Sequence, residues 1–158
     1  MLKSARVALA ALTVAAAISS MAAGSASATN IGTEGCTPGY WKNHTDNWQE
    51  YTPSTKVKFN FTIPAELASV VGNETFLQAL QGGGGPGVNG AVTILLRAAV
   101  AADLNAAHEG VGYPYRRFKD PFQIQAQVNA ALASLDRDTM LELASVLDAA
   151  NNLGCPLN

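Results

Sequence analysis

The sequence predicts a mainly α protein: a compact helical domain of four to five helices around one hydrophobic helix, with an irregular N-terminal segment tied to the C-terminus by a disulfide. Three observations carry that expectation. Apolar residues recur at three- and four-residue spacings through most of the second half, whereas strand-like alternation occurs only in Val57-Lys58-Phe59-Asn60-Phe61. The run from Asn89 to His108 is apolar on nearly all sides, as a buried helix is. Two cysteines, Cys36 and Cys155, stand near opposite ends of the chain that follows the leader. With 158 residues, 48% hydrophobic and 14% charged, the chain has the size of one domain. Its composition excludes a disordered polyelectrolyte, a collagen and a cysteine-dense mini-scaffold. The formal net charge of −2 leaves no basic excess, so no nucleic-acid partner is expected.

Residues 1–28 read as a secretory signal peptide: Lys3 and Arg6 precede an apolar run from Val7 to Ile18, and Ala26-Ser27-Ala28 offers the small residues a signal peptidase accepts. That run is too short to cross roughly 30 Å of hydrocarbon, and no second run is expected to do so. A secreted, extracellular chain with no membrane association after cleavage follows. Its single domain is expected over residues 29–158, irregular and aromatic over 29–62 and helical over 63–158. In an oxidising compartment Cys36 and Cys155 pair, bringing their Cα atoms within about 7 Å. A catalytic or metal-binding thiol would need one of them free, and no Cys-x-x-Cys or Cys-His spacing is present.

Within the irregular segment, Val57 to Phe61 predicts an extended or edge strand. Pro64-Ala65-Glu66-Leu67 opens a short helix that Gly72 ends, and Asn73 caps another over Glu74 to Gln81, with Gly82 as its stop. The tract Gly82 to Gly87 is a loop; it lacks the Gly-Lys-Ser/Thr ending of a phosphate loop. The apolar helix Asn89–His108 follows, its Asp103 and Asn105 strongly polar among alanines and leucines. Asp120-Pro121 caps a helix through Ile124, Val128 and Leu132. The last helix runs from about Thr139 to Leu153, with Leu143, Val146, Leu147 and Ala150 on its apolar face and Gly154 as its stop.

The stretch Cys36-Thr37-Pro38-Gly39-Tyr40-Trp41-Lys42-Asn43-His44, followed by Trp48, resembles the signature Cys-Thr-x-Gly-Tyr/Phe-Trp-Lys-Asn-His of a family of small secreted, mostly bacterial proteins. The similarity continues in Leu95 to His108, in Tyr113-Pro114 and in Ala149 to Pro156, about a third of the mature chain. Residues 50–62 and the glycine tract lie outside it, and Asp103 departs from it, standing where an apolar or basic residue is expected. The resemblance implies secretion and paired cysteines, and it brings no catalytic residue with it.

Two function classes follow from the residues. A non-catalytic binding or cell-envelope-associated module would use Tyr40, Trp41, Asn43, His44 and Trp48, with Tyr51, Asp46 and Asn47, as an aromatic platform for an extracellular polysaccharide or cell-wall polymer. The competing use of Trp41 and Trp48 is as anchors, each burying roughly 150–250 Å² over the helices. The alternative class is a small secreted hydrolase acting on glycan, with His44 oriented by Asp46, or with Glu34 and Glu50 as a carboxylate pair. No serine lies in a Gly-x-Ser-x-Gly setting, and neither His44 with Asp46 nor His108 with Glu109 has metal-ligand spacing, so no cofactor and no metal are expected. His108 is expected to act as a capping cation at its helix C-terminus. The loop Tyr113 to Lys119 is a cationic cluster that could meet an anionic wall polymer.

Overall fold

A computed structural model describes residues 32–117 and 123–157. Thr37 and Pro38 start the first helix, α1 (Pro38–Asn43): the Thr37 hydroxyl accepts from the Tyr40 amide, and the proline occupies a first-turn position where no amide is needed. The signature expected to be irregular is therefore helical, a correction to the reading of residues 29–62. Val57 to Phe61 is also corrected. It forms a 3₁₀ turn over Val57–Phe59, closed by Phe59, Asn60 and Phe61 amides donating to the carbonyls of Lys56 and Val57. That turn buries Val57 and Phe61 together and turns Phe59 outward, 75% exposed, so the spacing of four outweighs the alternation.

Another 3₁₀ turn, Ala65–Leu67, leads into α2 (Ala68–Val71), which ends at Gly72. The next helix, α3 (Phe76–Gln81), is capped by Thr75 rather than Asn73: the Thr75 hydroxyl accepts from the Gln78 amide while the Gln78 side chain accepts from the Thr75 amide. Residues 82–86 stay non-helical, and α4 (Gly87–Ala107) follows directly. A Cβ on Gly90 would overlap the Gly85 carbonyl, so glycine there lets the tract fold back onto α4.

Fourteen of the residues of α4 are buried, and it packs most extensively against α6 (Arg137–Asn151), then against α3, α1 and α5 (Ile124–Ser134). Contrary to the expectation of no second long apolar run, α4 is long and apolar enough to cross a membrane. Its 67% buried window marks it as the central helix of the core. Asp136 caps α6 by accepting from the Thr139 amide and hydroxyl, which holds its carboxyl below the usual range. The buried stripe of α6 is Met140, Ala144, Leu147 and Ala150; Val146, expected on it, is 44% exposed. The cap expected from Asp120-Pro121 lies outside the described residues, and Gln123 stands at the start of α5 without a side-chain cap.

No strand occurs among the described residues; two isolated antiparallel bridges, Gly35 with Gly154 and Lys56 with Thr75, tie the N-terminal segment down. The Cys36–Cys155 disulfide closes the same end, its Cα atoms 4.4 Å apart. The expected fold class stands: a helical protein around one apolar helix, joined end to end by a disulfide.

Candidate functional site

On its inner side, α1 delivers Trp41 into the core, where the side chain is fully buried. The indole Nε1 donates to Asn105 Oδ1 at 3.1 Å, and the Cys36 amide donates to the same oxygen at 2.7 Å. Asn105 Nδ2 donates to the Cys36 carbonyl at 2.9 Å and to Asn151 Oδ1 at 3.0 Å. Tyr113 donates its hydroxyl to that Asn151 oxygen at 2.8 Å, and Asn151 Nδ2 donates to the Ala98 carbonyl at 3.0 Å. Burial pushes the Tyr113 phenol up, keeping it a donor. One asparagine of α4 thus fixes backbone and side chain of the signature at once. Trp41 is an anchor, which corrects its expected place on an exposed platform.

Tyr40 is also buried, its ring edge-on to Trp41 at 5.2 Å, its hydroxyl donating to the Leu157 carbonyl and accepting from Asn47 Nδ2 at 2.7 Å. Trp48 is half-buried, with Nε1 donating to the Trp41 carbonyl at 2.9 Å. The platform residues that remain exposed are Asn43, His44 and Asp46. Asn43 donates to the Gly39 carbonyl one turn back. His44 stacks on Tyr40 at 4.2 Å with 13° between the planes, and its Nδ1 donates to the Tyr40 carbonyl at 2.9 Å. This hydrogen bond places a proton on Nδ1 and leaves Nε2 as the second ring nitrogen.

His44, Glu34 and Glu50 of the expected catalytic alternative are engaged with other partners. Asp46 makes no hydrogen bond or ion pair with His44, whose Nδ1 is committed to the backbone. Glu34 accepts from the Gly112 amide at 2.7 Å, whereas Glu50 pairs with Arg117 at 2.8 Å, so the two carboxylates serve separate partners. Among the described residues no group of three or more His, Cys, Asp or Glu could hold a metal. His108 is corrected as well: its Nδ1 accepts from the Gly110 amide at 3.0 Å, so that nitrogen carries no proton, and its ring lies 5.8 Å from Trp41. It shapes the turn after α4 instead of presenting a cation to the last carbonyls.

A second polar cluster was not anticipated as a site. Asp103, on α4, is fully buried; its Oδ2 accepts from Asn60 Nδ2 at 3.0 Å and from Gln125 Nε2 at 3.5 Å, while Oδ1 has no partner. Arg117 donates to the Tyr51 hydroxyl at 3.0 Å and lies over that ring, so the expected cationic loop directs this charge inward, to Glu50 and Tyr51. Burial and the Asp103 carboxyl raise the Tyr51 phenol. Burial likewise pushes Asp103 up to about 6, against the pull of Asn60, Gln125 and Arg117. The signal available in the sequence was one carboxylate inside an apolar helix.

Because the folded pKa lies above the ordinary 3.8, the native state holds a proton that the unfolded chain has lost between those values. Asp103 therefore makes stability fall as pH rises from about 4 to about 6, by about 3 kcal/mol for a shift of this size. Asp103→Asn is expected to flatten that part of the profile and to be the more stable protein at pH 7, as read by urea unfolding from pH 4 to pH 8. A parallel pair of profiles would remove Asp103 as their cause.

Comparison with known protein families, with curated proteins and with solved structures returns no match for the chain.

Proposed function

We propose that the protein is a secreted, non-catalytic binding module that attaches to an extracellular polysaccharide or cell-wall polymer through the outward side of α1, and that it belongs with the small exported proteins whose signature it resembles. The observation that carries the reading is the division of that signature. Trp41 and Tyr40 anchor it from within, while Lys42, Asn43 and His44 are exposed. A six-residue helix held this firmly from below is a rigid mount for polar side chains, and rigidity limits the ordering entropy lost on binding. The disulfide is compatible with an extracellular location. Export through cleavage of residues 1–28 is part of the same proposal. The commitment of His44 Nδ1 to the backbone, and of Glu34 and Glu50 to separate partners, favours binding over hydrolysis.

The test is affinity electrophoresis and calorimetry of the oxidised chain against peptidoglycan sacculi and soluble polysaccharides, alongside an assay for released reducing ends. Binding without turnover is expected, and the Asn43→Ala/His44→Ala variant should weaken it about tenfold while circular dichroism stays unchanged, because both side chains are exposed. Release of reducing ends, or an absence of binding to every polymer, overturns the reading.

A further inference from the structure

Beside exposed Lys42 of the signature helix lies an open groove of about 280 Å³, lined by Thr37 to Gly39 and Lys42 at α1, Leu80 of α3, Arg97 of α4, and Asp148 and Asn152 at the end of α6. We propose that this groove seats an oxyanion of the ligand between Lys42 and Arg97, so that the polymer recognised is a polyanion. The inference rests on the binding reading above and names the ligand chemistry at that face.

The argument begins with Arg97. It is the only cationic residue on α4, whose other charged side chain is Asp103. Its side chain is half-buried, yet the guanidinium makes no hydrogen bond and no ion pair among the described residues, and neither does the Lys42 ammonium. A guanidinium carries five donors in a planar fork suited to the paired oxygens of a carboxylate or phosphate. Partial burial lowers the dielectric around it and strengthens any such pairing. Of the other described cations, Arg116 is exposed and its guanidinium is likewise without a hydrogen bond or ion pair but lies outside this groove, while four are engaged, Arg117 with Glu50 among them. Arg137 donates to the Gly85 and Gly87 carbonyls, Lys56 donates to the Asn73 carbonyl, and Lys58 donates to the Asn73 side chain.

The remaining polar groups in the groove are accounted for. The Thr37 hydroxyl accepts from the Tyr40 amide, and Asn152 Nδ2 donates to the Asp148 carbonyl at 2.7 Å. Asp148 is the one carboxylate, and it forms no ion pair with Lys42 or Arg97. Two cations against one anion leave the groove net positive in a chain that is acidic in total. Its size suits one repeating unit of a polymer whose ends run out past the open sides. The oxyanion repeat has two possible sources, a uronic-acid polysaccharide or a polyol-phosphate wall polymer, and the same fork would grip either.

The experiment titrates the oxidised chain by calorimetry with polygalacturonate, with poly(glycerol phosphate) and with neutral dextran, at low and at raised salt. Binding of at least one polyanion, weakening about tenfold or more as salt rises, is expected, and whichever binds identifies the source. Arg97→Gln and Lys42→Gln should each weaken that binding about tenfold. Asp148→Asn should strengthen it severalfold, an effect that a purely structural role for these residues would not produce. Lys42 and Asp148 are exposed, so their variants keep the test valid if Arg97→Gln folds poorly. Polyanion binding indifferent to all three variants overturns the inference. Binding of dextran alone, unaffected by salt, overturns it and leaves the binding reading standing; binding of none overturns both.

Discussion

Asn105→Leu is expected to leave the protein barely folded, with a loss on the order of 5 kcal/mol. Leucine keeps the branched four-heavy-atom outline of the asparagine side chain, so the change is chiefly one of hydrogen bonding, with a smaller overpacking cost from its bulkier methyl groups. The Cys36 amide, the Cys36 carbonyl and the Trp41 indole each take their bond from Asn105 at a buried site, and all three lose it together. Orphaning a buried donor or acceptor costs about 1–3 kcal/mol each, and the total approaches the whole stability of an ordinary domain. Asn151 loses less, because Tyr113 still donates to its oxygen. Trp41→Phe, which removes one donor and keeps the other bonds, should cost a small part of this. Urea unfolding followed by near-ultraviolet circular dichroism reads both. A cost below about 1 kcal/mol for Asn105→Leu would mean that apolar burial of Trp41 alone holds the signature in place.

The same residue shows where local sequence stops being informative. Asn105 was visible as a polar residue inside an apolar helix, but its partners lie 64 to 69 residues earlier and 46 later. No periodicity brings such positions together. Asp103 is the same case, its partners Asn60 and Gln125 coming from separate segments. What local spacing could reach, it largely reached. The apolar helix appears as α4 two residues earlier than expected, and the last helix appears as α6, two residues earlier at each end and closed by Asn152 instead of Gly154. Where local signals competed, composition misled. Thr37-Pro38 is a helix start, overshadowed by the glycine, asparagine and threonine around it, and Val57 to Phe61 satisfies both a period of two and a spacing of four. Nothing local separates Trp41 from Trp48. Only the interior into which α1 points makes one a core residue and leaves the other half-buried.

The disulfide was legible because two cysteines have only one intramolecular pairing, and its removal should rival the loss of Asn105. The cross-link joins residues 119 positions apart. Opening a loop of this length frees about 5 kcal/mol of chain entropy in the unfolded state, a drop in Tm of about 15 °C or more for a domain of this size. The native state should change little. Cys36 is held through both its amide and its carbonyl by Asn105, and the Gly35 amide still donates to the Gly154 carbonyl at 3.0 Å. Cys36→Ser/Cys155→Ser is therefore expected to melt far lower while keeping, well below its Tm, the near-ultraviolet signature of a buried Trp41. The two large effects are then separable. Serine substitution acts on the unfolded chain, whereas Asn105→Leu acts on the folded one and should disturb the Trp41 signal even with the disulfide intact. If the double serine variant loses that signal at temperatures where its helices persist, the disulfide itself holds the signature segment against α4, and the asparagine bonds depend on it.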